Sequence, residues 1–154
     1  MNIQDLLADL RLDMGDADEA LLGDDYLRRC ILRSITAING DIDTDYAVDN
    51  DTLSPTPTDE HRELLLLRSQ AYACSLMRSI TANNFSFSSG DKKVDKTKQP
   101  EFWKEQEEAL LTRYKERVRA INPDNTALDD SLLNTGGLTP LIYEIGTVDR
   151  EEEQ

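Results

Sequence analysis

Residues 58–84 read TDEHRELLLLRSQAYACSLMRSITANN and carry the strongest helical pattern in the chain. The apolar residues of this stretch recur at spacings of three and four, the period of an α-helix. They form two adjoining stripes, one of Leu65, Tyr72, Leu76 and Ile80 and the other of Leu64, Leu67, Ala71 and Cys74. Because two faces are apolar, the pattern predicts a central helix of about 25 residues, packed by other helices on more than one side. Pro57 or Thr58 should begin it, and Asn83–Asn84 should end it.

Two amphipathic segments precede this helix. Residues 2–14 predict a short helix with its apolar stripe on Ile3, Leu6, Leu7 and Leu10. A second helix should start at Asp24 or Asp25, since either aspartate can cap the free amides of the first turn. Asn39–Gly40 should end it. Its buried stripe is predicted to hold Leu27, Ile31, Ile35 and Ile38, widened by Tyr26, Cys30 and Ser34.

A fourth helix is predicted from Gln99–Pro100 to Asn122–Pro123. Its apolar stripe holds Phe102, Trp103, Leu110, Leu111, Tyr114, Val118 and Ile121. The four segments together predict an all-α fold, a small four-helix bundle over residues 1–122. The side chains expected to be mostly buried in its core include Leu65, Tyr72, Leu76, Trp103, Leu110 and Tyr114.

The two long connections differ in character. Residues 41–57 are acidic and polar and predict a loop, with a short extended piece at 46–48. In the other connection Phe85 and Phe87 alternate with serines, which is the period of a strand. Ser89-Gly90-Asp91 then supplies turn chemistry, and Val94 lies on the return. Residues 85–96 therefore predict a short β-hairpin or protruding loop between helices 3 and 4.

Residues 123–154 show no helical period and end in an acidic run at 151–153. They are predicted to form an extended C-terminal tail. One segment of this tail is apolar and has β character, with Leu138, Leu141, Ile142, Tyr143 and Ile145. This segment predicts either an edge strand of its own domain or a strand that docks on a partner. We favour docking by strand addition, with the tail disordered in the free subunit.

The charge is strongly acidic and unevenly spread. The net formal charge is −14, with −11 over residues 1–60, +4 over residues 61–100 and −7 over residues 122–154. A free nucleic-acid binder would need the opposite sign, and an anionic membrane surface would repel the chain. The segregation indicates either solvated helix faces with an acidic tail, or a self-assembling surface on which acidic parts of one subunit meet basic parts of another.

Catalytic chemistry is sparse. His61, in the first turn of the central helix, is expected to be a surface residue, and Cys30 and Cys74 are expected to be buried small hydrophobes. Asp41, Asp43 and Asp45 resemble the start of a calcium loop, but the glycine and glutamate that such a loop requires are missing. No phosphate-binding or dinucleotide motif is present. The sequence predicts a non-enzyme with no cofactor, no metal and no catalytic residues.

The order of these features resembles the head–tail connector (adaptor, or head-completion) proteins of tailed bacteriophages. The resemblance covers residues 3–122: a short helix, a second helix with Asp25-Tyr26-Leu27 and Ser34-Ile35, a leucine-rich third helix, and a last helix with Trp103 and Tyr114. Its most specific part is Ser89-Gly90-Asp91 with Val94-Asp95-Lys96, set between the last two helices.

The resemblance implies a ring of about twelve copies that stacks under the portal, lines the DNA exit channel and joins the head to the tail. The partners would be other copies, the portal, and stopper or tail-tube proteins, with DNA passing unbound through the lumen. Such a protein is made in the host cytoplasm and resides in the virion neck. The connection before helix 4 would bind partners through Phe85, Phe87, Asp91, Lys92, Lys93, Val94, Lys96 and Lys98. The subunit interface would include Arg28, Arg29 and Arg33, and the tail residues above would dock.

Two other classes fit so acidic a helical chain. It could mimic DNA and occupy the nucleic-acid site of a host enzyme, or it could be a small helical regulator. Mimicry needs carboxylates in regular rows on a rigid surface, whereas much of the acid here lies in predicted loops and the tail. A mimic would be a monomer or dimer, and a connector would form a large ring.

Overall fold

A computed structural model describes residues 1–16, 21–82, 87–89, 92–94 and 98–123, the two three-residue segments as backbone only. Within these residues the chain forms four helices: α1 (Ile3–Met14), α2 (Asp24–Asp41), α3 (Asp59–Thr81) and α4 (Gln99–Ile121). Two short pairs of antiparallel strands lie in the connections between these helices. Strands β1 (Ala47–Asp49) and β2 (Thr52–Ser54) lie between α2 and α3, and strands β3 (Phe87–Ser89) and β4 (Lys92–Val94) lie between α3 and α4. The predicted mostly helical fold is confirmed.

Helix α3 is central, as predicted, because α1, α2 and α4 all pack against it. Thr58 caps it: the His61 backbone N–H donates to the Thr58 hydroxyl at 3.2 Å. The second of its two apolar stripes is fully buried, comprising Leu64, Leu67, Ala71 and Cys74.

The first stripe of α3 departs from the prediction. Leu65 is buried, but Tyr72 and Leu76 are only half-buried, and Ile80 is 51% exposed. The reason is that α2 lies beside this stripe and leaves a groove along it, which no described element covers. Tyr26, expected to widen the buried stripe of α2, lines the same groove and is 53% exposed.

Helix α4 is buried less than its sequence predicts. Tyr114 and Val118 are buried, whereas Trp103, Leu110, Leu111 and Ile121 are half-buried and Phe102 is 52% exposed. Among the described elements α4 packs chiefly on α3, so one narrow line of its stripe is enclosed. The expectation that Trp103 and Leu110 are core residues is therefore only partly correct.

The link between α1 and α2 is organised by a buried arginine. Gly15 ends α1 with a φ of 67°, a left-handed conformation that suits glycine. Arg11 then reaches the next helix: its guanidinium donates to the Asp16 carboxylate and to the Leu22 carbonyl, both at 3.1 Å, and also to the Asp24 carboxylate. The predicted cap of α2 is wrong in this detail. Gly23 is the N-cap residue, and Asp24 contacts Arg11 from the first turn.

The connection 41–57, predicted as a loop, contains the β1–β2 hairpin. Its turn residues Asn50 and Asp51 have positive φ, which these short polar residues tolerate. The Leu53 N–H donates to the Met1 carbonyl and the Ile3 N–H donates to the Asp51 carbonyl, both at 2.8 Å. The hairpin is thereby tied to the start of α1, and Leu53 is buried in the core.

Asn39, read as a helix stop, holds the loop in place. Its side-chain amide donates to the Tyr46 carbonyl at 2.8 Å and its side-chain oxygen accepts from the Tyr46 N–H at 2.9 Å. Helix α2 continues past it to Asp41. Buried Tyr46 in turn shares a hydrogen bond of 2.6 Å between its hydroxyl and Nδ1 of His61.

Candidate functional site on two faces of the central helix

An open groove runs between α2 and α3, and we call it the basic groove. It has a volume of about 250 Å³. The floor of the basic groove is formed by aromatic and aliphatic side chains. The charged side chains that line it are arginines. The lining residues are Tyr26, Arg29, Cys30, Arg33, Tyr72, Ser75, Leu76 and Ser79. No carboxylate is among these described lining residues, so the groove presents positive charge beside exposed apolar surface.

Tyr72 is the centre of this groove. The guanidinium carbon of Arg33 lies 4.6 Å from the centroid of its ring, and that of Arg68 lies 4.8 Å from it. Arg68 also lies 5.1 Å from the ring centroid of Tyr114, on α4. These cation–π contacts hold the arginine side chains over the aromatic surface and restrict their rotamers. The charge of Arg33 is thus fixed at the edge of the groove, while Arg68 lies outside its lining.

The cysteine at the base of the groove is shielded. Burial raises the pKa of the Cys30 thiol, against the opposing effect of the nearby Arg33 and Arg29 charges. Burial, with the charge of Glu107, raises the pKa of Cys74 to about 11. Both thiols are therefore neutral near pH 7, and both are buried, as predicted.

A second groove, which we call the acidic groove, lies between α1 and α3 and has a volume of about 340 Å³. Four of its lining residues are carboxylates and one is an arginine. The lining residues are Asp9, Leu12, Asp13, Asp59, Arg62, Glu63 and Leu66. Its net charge is opposite to that of the basic groove.

Part of this acidic charge is compensated within the chain. Arg62 forms an ion pair with Asp9, and Arg117 forms one with Glu63 at 2.7 Å. Asp13, in contrast, accepts a hydrogen bond of 2.7 Å from the uncharged side-chain amide of Gln70, so this contact leaves its charge in place.

Leu12 is next to Asp13 in the chain, and its side chain is 70% exposed. No other large apolar side chain among the described residues has a larger exposed fraction. Leu12 lies on the outer face of α1, opposite the buried stripe of Ile3, Leu6 and Leu10. A single exposed leucine is ordinary on a surface. Its position next to carboxylates and to half-buried Leu66 makes this edge of the acidic groove apolar as well as negative.

The two grooves occupy opposite sides of α3. Tyr72 lines the basic groove and Glu63 lines the acidic groove, and they are nine residues apart in one helix. At about 100° per residue, nine residues correspond to roughly 180°. One rigid helix therefore separates a positive groove from a negative one.

Buried polar contacts fix the helices that line the basic groove. The Ser34 hydroxyl of α2 and the Ser69 hydroxyl of α3 lie 2.7 Å apart, and Ser34 also donates to the Ile31 carbonyl at 2.7 Å. The Tyr114 hydroxyl donates to Oδ2 of Asp41 at 2.6 Å, joining α4 to the end of α2. Because a buried hydroxyl without its partner is costly, these contacts define the positions of the helices.

The three arginines predicted for the subunit interface separate into two groups. Arg29 and Arg33 line the basic groove. Arg28 instead forms an ion pair with Asp51 in the turn of the β1–β2 hairpin. Only two of the three are brought together on one surface.

The predicted partner-binding connection is described in part. The backbone pairs Phe87 with Val94, Ser88 with Lys93, and Ser89 with Lys92, in the register expected of a hairpin. Lys98 is exposed at the N-cap of α4. Phe85, Asp91 and Lys96 lie outside the described residues. So do the predicted docking residues of the tail, Leu138, Leu141, Ile142, Tyr143 and Ile145.

Sequence reasoning missed several contributors to these faces. Arg68 precedes Tyr72 by four residues, a spacing that places two side chains on one helix face and could have revealed the contact. The helical period places Leu12 opposite Ile3 and outside the apolar stripe of α1, which indicates exposure, but the groove that it borders depends on the tertiary fold. His61, expected to be a simple surface residue, is half-buried against Tyr46, with ring centroids 5.9 Å apart in an edge-on arrangement.

Among the described residues, no group of three or more His, Cys, Asp and Glu side chains is placed to hold a metal ion. None of the described helices combines the length and apolar character needed to span a bilayer. Comparison with protein-family models, with curated proteins and with solved structures finds no match for this chain.

Proposed function

We propose that this protein is a non-enzymatic structural subunit that assembles into a closed ring, and that the ring is a head–tail connector of a tailed bacteriophage. The observation that carries the ring is the pair of oppositely charged grooves on opposite sides of α3. The sequence resemblance described above supports the phage assignment.

A ring requires two different, complementary surfaces on each subunit. When the same patch meets itself, a two-fold dimer results, whereas a head-to-tail contact repeats until the rotation closes. A positive groove cannot pair favourably with its own copy, because like charges would face each other. The basic groove and the acidic groove together meet the requirement for a head-to-tail contact.

The overall charge suits a channel for DNA. With a net formal charge of −14, a ring of such subunits would repel the phosphate backbone and let the duplex pass without sticking. We place the ring under the portal in the virion neck, after synthesis in the host cytoplasm. The 85–98 connection and the tail segment 138–145 are the parts proposed to contact the portal above and the stopper or tail tube below.

The test is native mass spectrometry and electron microscopy of the full chain, alone and mixed with the portal protein encoded in the same genome. We expect a closed ring of about twelve copies, stacked on the portal when portal is present. A chain that stays monomeric or dimeric both alone and with portal would contradict the proposal. A genome without portal, capsid and tail genes would contradict the phage assignment.

The same measurement separates the alternatives. A DNA mimic or a small regulator would remain a monomer or dimer and would bind a host enzyme instead of a portal. Asp5, Asp9 and Asp13 do form one row along α1, at intervals of four residues. However, Asp9 is already paired with Arg62, which weakens the row as an imitation of phosphates.

A further inference from the structure

We infer that the basic groove of each subunit receives helix α1 of a second copy, with Leu12 entering between Tyr26, Tyr72 and Leu76 while Asp13 meets Arg29 and Arg33. This inference rests on the proposed function and identifies the surfaces that would join neighbouring subunits in the ring.

The first argument is apolar complementarity. The groove has a floor of half-buried Tyr72 and Leu76 and a wall of Tyr26, which is 53% exposed. Leu12 is the matching projection, since 70% of it is exposed on the outer face of a helix. Each surface alone leaves apolar area in water, and docking removes both areas from water at once. Aromatic residues with arginine at the rim are the composition typical of an interface centre.

The second argument is charge. Among the described lining residues of the groove, the charged ones are Arg29 and Arg33. Asp13 adjoins Leu12, and its contact within the chain is to the neutral amide of Gln70, which can be exchanged for a cation without exposing a buried charge. Opposite charges that flank an apolar contact fix its register and exclude the reversed orientation.

The third argument is helical spacing. Arg29 and Arg33 are four residues apart on α2, and Asp9 and Asp13 are four residues apart on α1. Both pairs are therefore separated by about 6 Å along their helix axes. A helix laid along α2 can face both arginines with both aspartates, although Asp9 would share its carboxylate with Arg62.

The fourth argument is that the contact cannot close on itself within one subunit. Leu12 belongs to the acidic groove, and the basic groove lies across α3 from it. A subunit thus offers one α1 and one basic groove in different directions. This is the geometry of a head-to-tail contact that propagates around a ring.

The experiment uses two variants of the full chain. One alters the surface of α1, and the other alters the basic groove. The α1 variant carries Leu12→Lys and Asp13→Lys, and the groove variant carries Arg29→Ser and Arg33→Ser. Arg28→Ser is the control, because it makes the same type of substitution on the same helix outside the groove, although it removes one positive charge where the groove variant removes two. Circular dichroism should show that all of them keep the helical fold, since every substituted residue is at least partly exposed.

Sedimentation over a wide concentration range is then measured for each protein and for the mixture. We expect the control to assemble like the wild type and each variant alone to associate at least ~10-fold more weakly. A one-to-one mixture of the two variants should give a discrete heterodimer, because the intact α1 of one fits the intact groove of the other and no further contact is possible. If the wild type is monomeric in solution, loading on the portal ring is scored instead.

The outcomes separate this inference from the proposed function. If the wild type forms rings and both variants form them equally well, the assigned surfaces are wrong and the ring proposal stands. If the mixture yields no heterodimer while each variant alone is defective, the two surfaces do not meet, and the inference is likewise overturned. If the wild type forms no ring alone or on a portal, the proposed function itself has failed.

Discussion

The two apolar stripes of α3 look equivalent in sequence, but beyond buried Leu65 they differ in how the fold covers them. Leu64, Leu67, Ala71 and Cys74 are enclosed, whereas Tyr72, Leu76 and Ile80 line or adjoin an open groove. The enclosed stripe is small and aliphatic. The open one carries a tyrosine held under two arginines, Arg33 and Arg68.

Apolar periodicity therefore marks an apolar face of a helix, and does not tell whether the same chain covers that face. The enclosed stripe consists of Leu, Ala and Cys side chains and packs on elements of the same chain. The open stripe, which we propose is covered by a second copy, is partly in water in the free subunit, where an aromatic ring with arginines over it is tolerated. Substitutions made separately in the two stripes test this difference.

The largest expected effect is at the enclosed stripe. Leu64→Ala should lower the free energy of unfolding by about 3 kcal/mol, because Leu64 is fully buried and its removal leaves a cavity. Leu76→Ala, the matched change on the open stripe, should cost only about 1 kcal/mol in the isolated subunit. Urea unfolding followed by circular dichroism measures both. Equal losses at the two positions would show that the open stripe is covered in the free subunit.

The next effect is a pH dependence at the junction of α4 with α2. Burial, the hydrogen bond to Asp41 and the Asp41 charge all raise the pKa of Tyr114 above the value of about 10 that an unfolded tyrosine has. The folded state therefore holds its phenolic proton more tightly. The stability contributed by the neutral phenol is complete below pH ~10 and falls as the pH rises, by up to ~1.4 kcal/mol per pH unit.

Tyr114→Phe is the variant that isolates this effect. At pH 7 it should cost about 1.5 kcal/mol, because the Asp41 carboxylate loses a buried donor. Above pH 10 its stability should fall less steeply than that of the wild type. Tyr26→Phe, at an exposed tyrosine, is the control and should leave the slope unchanged. Parallel pH profiles for Tyr114→Phe and the wild type would refute the assignment.

The positions of the helices could be predicted from the sequence because their signals are local. Thr58 precedes a first turn that contains Asp59 and Glu60, and Pro100 stands at the start of α4, so the two longest helices begin where expected. In the first connection the sequence predicts an extended piece at 46–48, which overlaps β1, but it does not predict the hairpin. The turn uses Asn50 and Asp51 with no glycine, whereas Ser89-Gly90-Asp91 gives the second connection a recognisable turn signal.

The candidate site could be predicted only in part, for a different physical reason. The sequence predicts Arg28, Arg29 and Arg33 as interface residues from their charge. The helical period places Arg29 and Arg33, four residues apart, on one face of α2 and Arg28 on another. That the first face lines a groove and that Arg28 pairs with Asp51 of the hairpin depend on contacts between residues far apart in the chain. The position of Leu12 beside the acidic groove depends in the same way on how α1 lies against α3.

A smaller effect should appear at the hydroxyl pair behind the basic groove. Because Ser34 donates to the Ile31 carbonyl, Ser69 is the donor in the contact between the two hydroxyls. Ser34→Ala should therefore cost about 1–2 kcal/mol, since it leaves a buried donor on Ser69 without its acceptor. Ser69→Ala should cost about 1 kcal/mol, since Ser34 keeps its bond to the carbonyl. The reverse order, measured by urea unfolding, would contradict this donor assignment.

The smallest expected change in folding stability concerns the Arg33 charge over Tyr72. This charge contributes to folding and is also proposed to act in assembly. Arg33→Met removes the charge over Tyr72 and keeps an apolar side chain of similar length, so in the isolated subunit it should cost only about 0.5 kcal/mol. A double-mutant cycle with Tyr72→Leu should return a coupling of that size. The same substitution should weaken assembly far more than it weakens folding, because the positive charge is proposed to serve a neighbouring subunit.

Arg68→Met is the control. It removes the other guanidinium over Tyr72, and Arg68 lies outside the lining of the groove. Arg33→Met and Arg68→Met losing assembly to the same extent would mean that rigidity of Tyr72, and not charge at the groove edge, governs association.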